Sequence, residues 1–246
     1  MNLKAYFQNT RTVTYSVILA LPLLVAYEVL IVLVNNGTDV PVRVGADVWI
    51  KQVIDMVGDV GMFVIGALLV VGGLWLVKRD RENGVPLRPR YFGWMLLESM
   101  LYAVVVAGIV SRLVGAIYYN IAPVALMASV QEIGLAKMLA LSLGAGLYEE
   151  LVFRVLLVGG LFWLFTRKKQ EGSRRIGAYL LAAVIGAAIF SGVHYTGTFG
   201  DPFELPSFTF RFLFGLALNA LYLWRGFGIA AWTHAIYDVL VVTNTL

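Results

Sequence analysis

The chain has 246 residues, of which 60% are hydrophobic and only 14% are charged, and its mean hydropathy is +0.81. Soluble domains carry about 25% charged residues, so this composition excludes an ordinary soluble protein. It predicts an all-α fold, a polytopic bundle of transmembrane helices in a lipid bilayer. The net charge of +4 is modest and lies in a few loops, which favours a role in membrane topology and argues against a nucleic-acid partner. The absence of cysteine excludes disulfides, thiol catalysis and thiolate metal sites.

Seven apolar segments are long enough to be membrane spans. They cover residues 13–34, 60–77, 91–119, 135–165, 176–199, 208–224 and 227–246. Eight spans are the alternative, because the connection at 120–134 could dip into the membrane. Residues 1–134 are interpreted as N-terminal helices and connections, and residues 135–246 as a catalytic core on the last four spans, within one integral membrane domain.

Basic residues concentrate in alternate connections. There are two near the N-terminus, five in the 78–90 loop, five in the 167–175 loop, and Arg225 after the sixth span. The positive-inside rule therefore predicts a cytoplasmic N-terminus. With short loops and no retention signal, we expect a multi-pass protein of a prokaryotic plasma membrane.

The fourth span carries two adjacent carboxylates and an arginine, Glu149, Glu150 and Arg154, and otherwise only one charge, Lys137. A charge at bilayer depth costs about 2.5–3.5 kcal/mol on insertion scales, so three charges together indicate a functional site. Glu150 and Arg154 are i,i+4 neighbours on a helix and can pair, which predicts a structural role for both. Glu149 is then the carboxylate left free for chemistry.

The length of this segment gives a second prediction. At 1.5 Å per residue, residues 135–165 would extend about 46 Å, which exceeds the hydrocarbon thickness of about 30 Å. The helix is therefore either tilted or irregular around Gly144 and Gly146.

The only two histidines both lie inside predicted spans. His194 follows Phe190 by one helical turn, so that Phe190 is expected to support it, and His234 precedes Asp238 by one turn. Ser191 is the one hydroxyl considered as a nucleophile, but it lies in no nucleophile motif. Three helices thus each contribute titratable or aromatic groups at membrane depth.

Polar groups in hydrocarbon must converge to be satisfied, and the groups that converge here are those that hydrolysis requires. A hydrolase needs a base that activates water and donors that hold the developing oxyanion. Glu149 is predicted to be the base and His194 to hold the water. His234 is predicted to face the oxyanion, with Asp238 either orienting its ring or contributing a hydrogen bond.

The motifs read Glu-Glu-x-x-x-Arg at 149–154, Phe-x-x-x-His at 190–194 and His-x-x-x-Asp at 234–238. In this order they resemble the CAAX protease and bacteriocin-processing family of intramembrane proteases, also called CPBP or Abi, over about residues 135–246. The family includes the eukaryotic prenyl-protein endopeptidases. The resemblance implies an intramembrane endopeptidase whose substrate is a membrane-associated peptide or a lipidated protein of the prenylated, CAAX type. An exported peptide is the alternative substrate, because counting 1.5 Å per residue from the basic loops places the motif residues, on average, beyond the midplane of the bilayer. It also implies that Glu149 is the catalytic glutamate, that His194 and His234 are its partners, and that Asp238 occupies a position often held by asparagine.

The sequence is compatible with two mechanisms, one without a cofactor and one with zinc. A glutamate that acts directly on water, with two neutral histidines, needs no cofactor. The same three residues, His194, His234 and Glu149, could instead bind zinc with an open coordination position, although the chain has no His-Glu-x-x-His helix.

Two other functions are considered. A non-catalytic membrane scaffold or immunity protein could use the same fold, but every motif position is filled. An ion-coupled transporter could use Glu28, Glu98 and Arg112 together with the motif groups as a relay. It would be expected to show inverted repeats or paired broken helices, and the sequence shows neither.

Overall fold

The computed structural model describes residues 2–118, 134–167, 171–197 and 200–246. Within these ranges the chain is entirely helical apart from its connections, with nine helices. They are α1 (Leu3–Thr10), α2 (Val13–Asn35), α3 (Gly45–Asp55), α4 (Gly58–Glu82), α5 (Pro89–Tyr118), α6 (Leu135–Gly144, Ala145–Val158 and Gly159–Thr166), α7 (Ser173–Val193), α8 (Leu205–Arg225) and α9 (Phe227–Val242). The all-α prediction is confirmed.

The first long helix, α2, shows how the sequence sorts its two faces. Its inward residues recur every four positions and are 0–3% exposed: Tyr15, Leu19, Leu23, Tyr27 and Ile31. Its outward residues recur at the same interval, are also apolar, and are 40–60% exposed: Val13, Val17, Leu21, Val25 and Val29. A helix that is apolar on every side belongs in a membrane, because an exposed aliphatic stripe of this length is unfavourable in water.

Four helices of the described part are long and apolar enough to cross a membrane: α2, α5, α7 and α8. The chain is therefore an integral membrane protein with a helical bundle, but these criteria identify four spans where the sequence predicted seven. The fourth predicted span, α6, changes its helical geometry along its length, and the seventh, α9, has only 16 residues. The backbone of α4 is helical over the second predicted span, but the side chains of residues 59–63, 65–66 and 68–70 lie outside the described part, as does most of the 120–134 connection.

The short helix α9 lies at the centre of the bundle, in contact with α2, α5, α6 and α8. Small residues on α9 and α6 permit this close packing. A Cβ atom added at Gly146 of α6 would lie 2.5 Å from the Ala235 Cβ and 2.6 Å from the Ala231 carbonyl oxygen. A Cβ at Gly228 would lie 2.9 Å from the Ser16 carbonyl oxygen of α2. The helix α9, which carries His234, thus packs so closely against α6 and α2 that there is no room for a side chain at Gly146 or Gly228.

A buried ion pair ties α8 to α5. Arg225 donates from Nε to Glu98 Oε1 at 2.5 Å and from Nη2 to Glu98 Oε2 at 2.8 Å, and its side chain is fully buried. Tyr6 and Tyr102 each donate a hydroxyl to the same carboxylate, at 2.5 and 2.7 Å. Thr10 accepts from Arg225 Nη2 at 2.9 Å. Arg225 is therefore a partner inside the bundle and should not be counted among the loop charges that orient the chain.

We expect Arg225→Met to destabilise the fold strongly, because Glu98 would stay buried without its cation. Removing one partner of a buried pair costs about 3–5 kcal/mol. Thermal unfolding of the purified protein in detergent measures the loss. The matched control is Lys78→Met, since Lys78 and Glu82 form an exposed pair with an N–O distance of 3.8 Å. Equal unfolding temperatures for the two variants would contradict the assignment.

Gly146→Ala should separate α6 from α9, because the new methyl group would contact backbone atoms and the Ala235 Cβ, none of which can rotate away. Overpacking of this kind costs about 1–3 kcal/mol. The control on the same helix is Gly160→Ala, where an added Cβ meets nothing within 4 Å. We expect a lower unfolding temperature for Gly146→Ala alone. An unfolding temperature equal to that of Gly160→Ala would show that the helices do not approach this closely.

Candidate active site

The motif helix changes geometry where the motif begins. Leu135–Gly144 is α-helical, and Ala145–Val158, which includes both glutamates and Arg154, is a π-helix. The sequence left open whether this segment is tilted or irregular around Gly144 and Gly146, and the structure shows that it is irregular. Wide π turns are rare and occur frequently at functional sites, because they redirect side chains relative to a regular helix.

Glu149 faces both histidines. Its Oε2 atom lies 3.9 Å from His194 Nε2 and 4.0 Å from His234 Nε2. These separations are too long for direct hydrogen bonds, yet one water molecule can contact a carboxylate and a ring nitrogen at this distance. Oε2 is also buried and has no hydrogen-bond partner among the described residues. Since buried polar atoms are nearly always satisfied, this atom is a place where a water or a substrate group would bind.

Both imidazole rings direct Nε2 towards Glu149 because Nδ1 is engaged elsewhere. His194 Nδ1 lies 2.8 Å from the Phe190 carbonyl oxygen, which can only accept, so Nδ1 carries a proton. His234 Nδ1 lies 2.8 Å from Glu150 Oε1. The contact at one ring nitrogen determines what the other can do, and in both rings it is Nε2 that faces the site.

Glu150 and Arg154 form the pair that their spacing predicted, with Arg154 Nε 3.1 Å from Glu150 Oε2. The two side chains are 0% and 1% exposed, respectively. The guanidinium lies 4.3 Å from the centre of the Phe190 ring, in a cation–π arrangement. Phe190 also contacts both histidines edge-on, with ring centres 5.0 Å from His194 and 5.8 Å from His234. One aromatic ring thus separates the buried cation from the imidazoles.

Asp238 reaches the site, but the contact that orients the His234 ring belongs to another residue. Asp238 Oδ2 is 3.5 Å from His234 Nε2, longer than a good hydrogen bond, whereas Glu150 holds Nδ1 at 2.8 Å. The sequence predicted one of two roles for Asp238, orienting the ring or contributing a hydrogen bond, because the two residues are one turn apart. It could not indicate Glu150, whose contact with His234 joins two helices that are distant along the chain.

Ser191 is engaged in packing. Its hydroxyl donates to the Phe208 carbonyl oxygen at 2.7 Å, and the residue is fully buried. It therefore joins α7 to α8 and does not present a free nucleophile.

The donor types of His194, His234 and Glu149 suit zinc. Across residues 2–118, 134–167, 171–197 and 200–246, however, no group of three or more such side chains is arranged to hold a metal ion.

The comparisons with known proteins bear on the same part of the chain. No curated protein and no solved structure matches the chain. A family model, described as type II CAAX prenyl endopeptidase Rce1-like, matches residues 131–240. This segment contains all three motifs and every residue of the candidate site, and a match to an endopeptidase family supports a peptidase. The resemblance that the three motifs indicated is thus confirmed, and it is the Rce1-like family of CAAX endopeptidases that residues 131–240 match.

Proposed function

We propose that this protein is an intramembrane endopeptidase in which Glu149 activates a water molecule that attacks a peptide bond. The observation that carries the proposal is the position of Glu149 Oε2, buried, without a hydrogen-bond partner among the described residues, and within 4.0 Å of Nε2 of both histidines. A carboxylate and two imidazole nitrogens around one point are suited to hold and deprotonate water.

In the proposed reaction, Glu149 takes one proton from water as the water oxygen bonds to the substrate's carbonyl carbon. The same proton then passes to the leaving nitrogen as the carbon–nitrogen bond breaks. His194, held by the Phe190 carbonyl, presents Nε2 to the water and keeps its oxygen aimed at the carbonyl. This positioning removes much of the entropic cost of bringing water and substrate together.

His234 is proposed to face the oxyanion. To donate from Nε2 while Nδ1 donates to Glu150, the ring must carry both protons. Contacts of 2.8 Å to Glu150 and 3.5 Å to Asp238 supply the negative charge that such a ring requires. A single oxyanion donor of this kind contributes about 10²–10³ in rate in other hydrolases.

The proposed substrates are membrane-associated peptides or lipidated proteins, either prenylated and CAAX-type or exported. The family match and the position of the site among apolar helices support this class. We also propose the seven-span arrangement with a cytoplasmic N-terminus in a prokaryotic plasma membrane, which the basic 78–90 and 167–175 loops favour.

We expect Glu149→Gln to lower cleavage by about 10²–10⁴, the range that a general base contributes. The measurement is hydrolysis of a panel of fluorogenic peptides, both membrane-anchored and prenylated, by purified protein. Glu171→Gln is the matched control, because Glu171 is exposed in the α6–α7 connection. Full activity of Glu149→Gln would overturn the proposal. Absence of cleavage by folded wild-type protein on the whole panel would favour the scaffold function.

Chelation distinguishes the two interpretations of the cofactor. We expect cleavage by wild-type protein to be unchanged after treatment with a strong chelator, because Glu149 is proposed to act on water directly. Loss of cleavage that added zinc restores would instead make His194, His234 and Glu149 metal ligands. Zinc content, measured on the same sample before and after chelation, provides the control.

A further inference from the structure

A second cluster of polar residues lies beside the site and joins three helices. Tyr148 donates its hydroxyl to Glu28 Oε1 of α2 at 2.7 Å. Lys51 of α3 donates to both oxygens of the same carboxylate, at 3.0 and 3.2 Å, and pairs with Asp47 Oδ1 at 2.7 Å. Hydrogen bonds to charged groups are stronger than neutral ones, and none of these residues has a role in the reaction proposed above.

The far end of this cluster is anchored. Asp47 is fully buried and accepts from the Tyr27 hydroxyl at 2.7 Å and from Arg43 Nη1 at 2.9 Å. The Tyr27 ring meets the Tyr148 ring edge-on, with centres 5.4 Å apart. A Cβ atom at Gly144 would lie 2.3 Å from the Tyr27 ring, so the start of the motif segment lies directly against α2.

The cluster and the site lie on different faces of one helical turn. Tyr148 and Glu149 are consecutive, so their side chains diverge by roughly 100° on a regular helix and somewhat less on a π-helix. Tyr148 points to α2 and α3, and Glu149 points to the histidines of α7 and α9. Any rotation of the π segment about its axis would move both side chains together.

Aromatic packing continues the contact further along the segment. Trp49 of α3 meets Phe153 edge-on, with ring centres 6.3 Å apart, and Phe153 meets Phe190 at 5.3 Å. The helix α3 therefore contacts the motif segment on the same side at Tyr148 and at Phe153, about one turn apart.

We propose that Tyr148, Glu28 and Lys51 are positioning residues that set the rotation of the π segment and so aim Glu149 at the two histidines. This inference rests on the proposed peptidase function. It extends the active site into the N-terminal helices, because Glu28 and Lys51 lie outside the segment 131–240 that the family model matches. The residues act through the helix and do not touch the reacting atoms.

The kinetic test uses Tyr148→Phe, Glu28→Leu, which removes the acceptor of the Tyr148 hydroxyl, and the double variant on the same fluorogenic peptides. We expect kcat to fall about tenfold in each single variant, with KM unchanged, since small misplacements of a catalytic group have effects of this size or larger. The double variant should be no slower than either single one, because both remove the same hydrogen bond. The control is Tyr15→Phe, a buried α2 tyrosine that donates to the Pro86 carbonyl oxygen at 2.7 Å, and it should retain full kcat.

A second measurement does not depend on cleavage. Amide hydrogen exchange in residues 145–158 should accelerate in Tyr148→Phe and Glu28→Leu but not in Tyr15→Phe, because a segment that has lost its anchor opens more often. Unchanged kcat together with unchanged exchange would overturn the positioning role while leaving the peptidase function intact. Full activity of Glu149→Gln would overturn the peptidase function itself. In that case, unchanged amide hydrogen exchange in residues 145–158 would by itself show that Tyr148 and Glu28 do not anchor the segment.

Discussion

Glu150 is the buried charge around which the candidate site is arranged. Its carboxylate pairs with Arg154 on its own helix at 3.1 Å and contacts His234 Nδ1 on α9 at 2.8 Å. An isolated carboxylate or guanidinium in an apolar bundle would be strongly unfavourable, and each of these three groups is at most 4% exposed. The contact between Glu150 and His234 therefore holds the motif helix against α9 at the height of these two residues. Glu149 precedes Glu150 in the sequence and so lies at the same height.

The same contact separates the roles of two neighbouring glutamates. Glu150 is 0% exposed and contacts Arg154 and His234, whereas Glu149 remains 16% exposed, with Oε2 within 4.0 Å of both imidazole Nε2 atoms. Two carboxylates that are adjacent in sequence thus have different environments, which is how proteins assign structural and chemical roles to identical side chains. The π geometry of Ala145–Val158 contributes by altering the angle between consecutive side chains.

Small residues make this arrangement possible. Gly146 lets α6 approach α9 at backbone distance, and Gly144 lets it approach Tyr27 of α2. On the opposite side, Phe190 fills the space between Arg154 and the histidines. The motif segment contacts α2, α3, α7 and α9, so the N-terminal helices are part of what holds it.

The sequence by itself determined the membrane setting and the all-α class, and it predicted the residues of the candidate site. These follow from local properties: apolar run length, the cost of charge in hydrocarbon, and i,i+4 spacing, which also predicted the Glu150–Arg154 pair. The motifs of Glu149, His194 and His234 are specific enough that the family match confirmed the resemblance.

Only the tertiary structure decided which residue orients His234, which partner Arg225 takes, and that Glu28 contacts Tyr148. Each of these contacts joins residues more than 80 positions apart, 84 for Glu150 and His234, 127 for Glu98 and Arg225, and 120 for Glu28 and Tyr148. Spacing along a helix reveals neighbours on that helix alone. Partners on other helices depend on how the bundle packs, and a sequence read by itself carries no measure of that packing.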